Sequence, residues 1–148
     1  MDTMTQSSIQ WNLQNPHQFL GLHTLDDKSK VIRVYRPGAQ VVHLEVFGKI
    51  VEADQIDSSG IFIYNCPSNT TPSDYRVYHQ NGLLAHDPYA FAPTFGEVDA
   101  HLFSKGVHYK LYEVLGGRIC EHQGVKGVKF ALWAPNAVSV ALVADFNH

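Results

Sequence analysis

Val31-Ile-Arg-Val-Tyr-Arg-Pro-Gly-Ala-Gln-Val-Val-His-Leu-Glu-Val-Phe47 is the stretch on which the fold turns. Ile32 and Val34 share one parity before the break at Pro37-Gly38, and Val42, Leu44 and Val46 share one after it, mostly between polar neighbours. A period of two places alternate side chains on opposite faces, the signature of half-buried antiparallel strands. Proline followed by glycine is a turn signal between them. The spacing predicts strands over 31–36 and 41–47, with those five aliphatic residues facing a core.

Further strands are expected at Gly60–Tyr64 and Tyr75–His79. Asn81-Gly82 then reads as a tight primed turn leading into Leu83-Leu84. About five short strands separated by turn signals predict a mostly β, immunoglobulin-like β-sandwich. Ahead of them, Asn15-Pro16 starts a helix of a turn or two that Gly21 stops. After them, His86–Pro93 is extended and proline-interrupted, and Asp99–Phe103 makes a helical turn. Val107, Leu111, Val114 and Leu115 fall at helical spacing before Gly116-Gly117.

The end of the chain repeats its beginning. A shift of 98 positions carries Ile32 to Phe130, Val34 to Leu132, Tyr35 to Trp133 and Pro37 to Pro135. The same shift carries Val42, Leu44 and Val46 to Val140, Leu142 and Ala144, with parity kept throughout. That spacing is about one sandwich domain. The expected organisation is therefore a polar tail (1–14), a β-sandwich module (15–90) and a linker with short helices (91–124). The truncated start of a second sandwich follows (125–148).

Composition narrows the function. The 148 residues are 45% hydrophobic and 17% charged, with a formal charge of −3, so neither disorder nor a nucleic-acid partner is expected. No run approaches the roughly 20 apolar residues of a membrane span, and the polar start MDTMTQSSIQ has no signal core; a cytoplasmic location is expected. Cys66 and Cys120 are expected to be free thiols.

Nine histidines raise the question of a metal, with Asp99-x-His101 and His86-Asp87 placing carboxylates beside imidazoles. No pair has zinc-ligand spacing, so no metal is expected. Glu97, Asp99 and Glu113 are the candidates for paired-carboxylate sugar chemistry, but acids in such a connector more often cap helices. Nucleophile motifs, phosphate loops and dinucleotide fingerprints are missing from the sequence, and neither a catalytic residue nor a cofactor is expected.

Aromatics remain. Sugar rings stack on exposed aromatic faces, as bases do. Trp133 and Tyr35 are the candidates for glucan stacking, because their parity opposes the main apolar face. Packing at the two equivalent strand ends explains them as well. Tyr89, Phe91 and Phe95 are expected to pin the connector to the sandwich.

The strings NPHQFLGLH, VYRPGA, HDPYAFAPTFGEVDAHLFSKGVHYKLYEVLGG and GVKGVKFALWAPNAVSVALVADFNH resemble the N-terminal region of bacterial glycogen branching enzymes over residues 15–148. The resemblance implies a sandwich module, a helical linker and a carbohydrate-binding sandwich ahead of a TIM-barrel catalytic domain. It implies a parent enzyme of glycogen biosynthesis that transfers α-1,4-glucan segments to form α-1,6 branches by a retaining, two-carboxylate mechanism. The carboxylates lie on the barrel, outside this sequence. The implied partners are α-glucan and the missing C-terminal catalytic domain. The competing expectation is a stand-alone glucan-binding or interaction module without a barrel.

Overall fold

The computed structural model describes residues 15–79 and 82–144. The tail expected at 1–14, and the Asn81 half of the expected primed turn, lie outside them. The chain is mostly β and divides into two compact units, Met1–Pro93 with Glu121–Gly127, and Thr94–Cys120 with Val128–His148.

The first unit is a β-sandwich made from one curled sheet. Its strands are β1 (Gly21–Thr24), β2 (Lys30–Tyr35), β3 (Val42–Val46), β4 (Lys49–Gln55), β5 (Ile61–Cys66), β6 (Tyr75–Tyr78) and β7 (Leu84–Ala85), in the order β1-β2-β5-β4-β3-β6-β7. Every pairing within it is antiparallel. β4 belongs to both layers: Lys49–Ala53 pair with β3, and Asp54 and Gln55 pair with Ile63 and Phe62 of β5.

The core is the one that the alternation predicts. Ile32 and Leu44 are fully buried, and Val34, Val42 and Val46 are nearly so. Ala53, Phe62, Tyr75 and Val77 join them from the neighbouring strands. Arg36–Ala39 makes the predicted turn, closed by the Ala39 N–H donating to the Arg36 carbonyl, with Gly38 at φ +78°. Proline then glycine at the centre of a type II turn supplies both of its dihedral demands.

Two strands of this unit escape the sequence pattern. Gly21, read as a helix stop, instead opens β1; only a 3₁₀ turn over Pro16–Gln18 precedes it. A Cβ at Gly21 would collide with the Tyr89 carbonyl, so the missing side chain lets the strap after β7 cross β1. β4 returns along β3 through a two-residue turn, Phe47-Gly48, both at positive φ. Phe47 thus sits on the turn and not, as the pattern suggested, at the end of a strand.

After the first sandwich the chain adds two short helices and a β-ribbon. Helix α1 (Glu97–Ser104) contains the expected turn at 99–103. It ends where Gly106 adopts φ +68° and the Val107 N–H donates back to the Leu102 carbonyl. This six-to-one closure is a Schellman motif. Val107 is therefore spent in ending α1, and the expected helix from 107 to 115 shrinks to the single turn α2 (Leu111–Val114).

The strand β8 (Gly116–His122) lies in the stretch read as a helical linker. It pairs with β9 (Val125–Ala131) as a two-stranded sheet. Relative to the first unit, this hairpin falls where the 98-residue shift would carry β1 and β2. The next turn follows too, with Ala137 N–H donating to the Ala134 carbonyl as Ala39 does to Arg36. The correspondence then stops: 138–144 form no strand, and Val138, Val140, Leu142 and Val143 are exposed. Cys66 and Cys120 are both free.

Candidate functional site

Trp133 stands two residues beyond the end of β9 and two residues before Pro135. Its ring centroid lies 4.5 Å from that of Phe103 on α1, at 53°, and 6.4 Å from that of Phe95. Tilted ring contacts at these separations are attractive and fix the orientation of the indole. Yet Trp133 remains 50% exposed. One side is braced by aromatics while half of its surface is open, which is what a stacking platform requires. Phe95, expected to pin the connector to the sandwich, is instead one of these braces.

Helix α1, which carries Phe103, is held at its start by Asp99. One carboxylate oxygen accepts the Gly96 N–H at 3.1 Å, and the other is 2.8 Å from His108 Nε2. The His108 contact, then the Gly96 N–H, hold the Asp99 carboxyl below its ordinary value. Asp99 therefore serves as a cap. Its imidazole partner is His108, nine residues on, rather than the His101 suggested by the short motif. Glu113 lies 3.8 Å from Lys110 in an exposed ion pair. Among the described residues no group of three or more His, Cys, Asp or Glu side chains is placed to hold a metal.

Tyr35 ends β2 opposite Ile61 of β5, on the parity facing away from the core. It is 41% exposed. The Arg36 guanidinium donates to its carbonyl at 2.8 Å, which fixes the backbone there. Tyr35 belongs to the first unit and Trp133 to the second.

Tyr89 meets the turn before β1 as expected, whereas Phe91 packs on His86 of the connector itself and on His122 of β8. His17 meets the Tyr89 ring edge-on at 5.2 Å, and Phe91 contacts both His86 and His122, each at 6.1 Å. The Gln123 amide oxygen accepts the Ala92 N–H at 2.8 Å, and His122 Nε2 is 2.9 Å from the Ala92 carbonyl. Asp87 anchors the strap from within. Its carboxylate accepts the Tyr75 hydroxyl at 2.9 Å and the Tyr89 N–H at 3.0 Å. Burial is the main force raising the Asp87 carboxyl, and burial followed by the adjoining Asp87 charge raises the Tyr75 hydroxyl strongly. Sequence inspection placed Asp87 in a possible metal motif; what it missed is the buried tyrosine 12 residues earlier.

Comparison with known proteins gives two family matches along the chain. Residues 4–89 match the family described as alpha-1,4-glucan branching enzyme GlgB, N-terminal domain. Residues 114–148 match carbohydrate-binding module 48, the isoamylase N-terminal domain. The chain is 63% identical over 133 residues to the 1,4-alpha-glucan branching enzyme GlgB of Protochlamydia amoebophila. It is 50% identical over 134 residues to that of Chlamydia caviae and 52% identical over 133 to that of Chlamydia abortus. Each match covers 90% of this chain but only 18% of the relative's length.

Proposed function

The chain belongs to the family of the N-terminal domain of alpha-1,4-glucan branching enzyme GlgB, and from that premise we propose that it is the non-catalytic N-terminal region of such an enzyme. The parent activity is transfer of an α-1,4-glucan segment to form an α-1,6 branch, in glycogen biosynthesis in the cytoplasm. The reaction belongs to a catalytic domain beyond these residues. Among the described residues no helix is long and apolar enough to cross a membrane.

Residues 15–90 act as the first sandwich module, 91–124 as the linker, and 125–148 as the start of the carbohydrate-binding sandwich. The region's task is to hold glucan chains, with Trp133 as the principal stacking platform and Tyr35 as a second. The observation that carries the glucan contact is the half-open Trp133 ring braced by Phe103, within the segment that matches the carbohydrate-binding module. A pyranose presents an apolar C–H face to such a ring.

Electrophoresis of the chain through gels cast with and without glycogen tests the reading. Retardation by glycogen that Trp133→Ala reduces about two- to tenfold, the range one ring contact is worth, is expected. Incubation with amylose should leave its iodine colour unchanged. Unretarded migration of the native chain overturns the glucan contact, and a colour shift overturns the non-catalytic assignment.

A further inference from the structure

The tip of the β3–β4 hairpin carries a residue that the turn does not favour. Phe47 and Gly48 occupy a two-residue loop at φ +49° and +74°, between the paired residues Val46 and Lys49. Such primed turns favour Asn or Asp followed by Gly, and a bulky side chain at positive φ is a backbone outlier. Backbone outliers of this kind gather where a surface has work to do.

The comparable turn at Gln123-Gly124 shows what an explanation looks like. Gln123 also has φ +49°, but its side-chain amide is used to fix Ala92. Phe47 is 47% exposed and belongs neither to the core cluster nor to the half-buried hydrophobic residues packed against it. Core packing therefore does not account for the ring.

The backbone beneath it is firmly held. The Phe47 N–H donates to the Asp74 carbonyl at 2.9 Å. Asp74 in turn accepts from the Thr71 N–H at 2.8 Å, closing the turn at Pro72–Asp74. Beside the tip, Ile50 is 64% exposed and lies directly across from Glu45, whose carboxylate pairs with the Arg76 guanidinium. The local composition is one open aromatic, one open aliphatic and a pair of planar, multidentate polar groups.

We propose that Phe47, with Ile50 and the Glu45–Arg76 pair, is a saccharide-stacking subsite that takes one glucose ring of an α-1,4-glucan. The proposal rests on the glucan-holding function proposed above and adds a contact in the first sandwich, apart from Trp133 and Tyr35. Stable protein interfaces bury about 800 Å² on each side. A two-residue hairpin tip with two open apolar side chains is small for that and suits a single pyranose. Glu45 and Arg76 offer acceptors and donors for the ring's hydroxyls.

Phe47→Asn tests this cleanly, because asparagine suits the turn and removes the ring. Its melting temperature should equal or exceed that of the native chain, while retardation by glycogen weakens about two- to tenfold. Phe47→Trp should restore retardation. If Phe47→Asn migrates like the native chain while Trp133→Ala does not, the subsite is overturned and the wider glucan reading stands. If the native chain is unretarded, both fall. If Phe47→Asn weakens retardation but Phe47→Trp fails to restore it, the stacking role is overturned.

Discussion

Replacing Tyr75 with Phe removes one oxygen from the centre of the first sandwich and leaves the ring in place. Tyr75 is 1% exposed and Asp87, which accepts its hydroxyl, is 5% exposed, so water cannot readily replace the lost donor. A hydrogen bond to a charged group contributes about 1.5–3 kcal/mol, and one to a neutral group about 0.5–1.5 kcal/mol. Which value applies depends on the Asp87 proton.

Burial raises the Asp87 carboxyl above its ordinary 3.8, opposed by the Tyr75 hydroxyl, the Tyr89 N–H and the nearby Arg36 and His17. A carboxyl raised by folding stabilises the fold fully below its unfolded value, and that contribution is lost as pH rises through the folded value. Without the Tyr75 hydroxyl the folded value climbs further. The cost of Tyr75→Phe therefore grows with pH. Urea unfolding should show a loss of about 0.5–1.5 kcal/mol near pH 4 and about 1.5–3 kcal/mol near pH 7.5. In an Asp87→Asn background the pH dependence of that loss should vanish. An equal cost at both pH values, or a larger one in acid, would refute the argument.

Leu44 has no exposed surface and lies between Val51 of β4 and Val77 of β6. Leu44→Ala should cost about 2–5 kcal/mol in urea unfolding, and a loss under about 0.5 kcal/mol would mean the strand faces are reversed. Asp99, held low by His108, contributes stability above its unfolded value that is lost as pH falls through the depressed folded value. Carbon-13 titration of its carboxyl should give a midpoint below 3.8, and His108→Gln should raise that midpoint. An unchanged midpoint in the variant would remove His108 as the cause.

What the sequence disclosed was whatever depends on period and on turn chemistry. Ile32, Val34, Val42, Leu44 and Val46 could be placed on one face because burial on one side of a sheet enforces alternation. β4 was hidden because its contribution to that face is small. Ala53 is buried and Val51 partly so, but Lys49 and Gln55 take the other positions of that face and Ala53 is small, so little apolar bulk marks it. The strand exists because its neighbours and the Phe47-Gly48 turn hold it. Val107 misled in the opposite way: its spacing was helical, but its N–H was already committed to closing α1.

The aromatic sites divided likewise. Parity placed Tyr35 at the end of β2 facing away from the core, whereas Trp133 lies beyond the end of β9, half exposed. It carried no information on the bracing by Phe103 and Phe95, because that depends on how α1 packs. The Asp87–Tyr75 bond was invisible for the same reason.

β4 has a consequence for how the sandwich comes apart. Most two-layer β folds are tied across the middle by side chains alone, so their layers can in principle separate like the boards of a book. Here a single run of peptide passes from one layer to the other while paired on both sides, Ala53 standing opposite Val42 of β3 and Asp54 opposite Ile63 of β5. The spine is stitched as well as glued: a breathing motion that opens the layers must first tear backbone bonds around Ala53 and Asp54, which couples the two halves into one mechanical body.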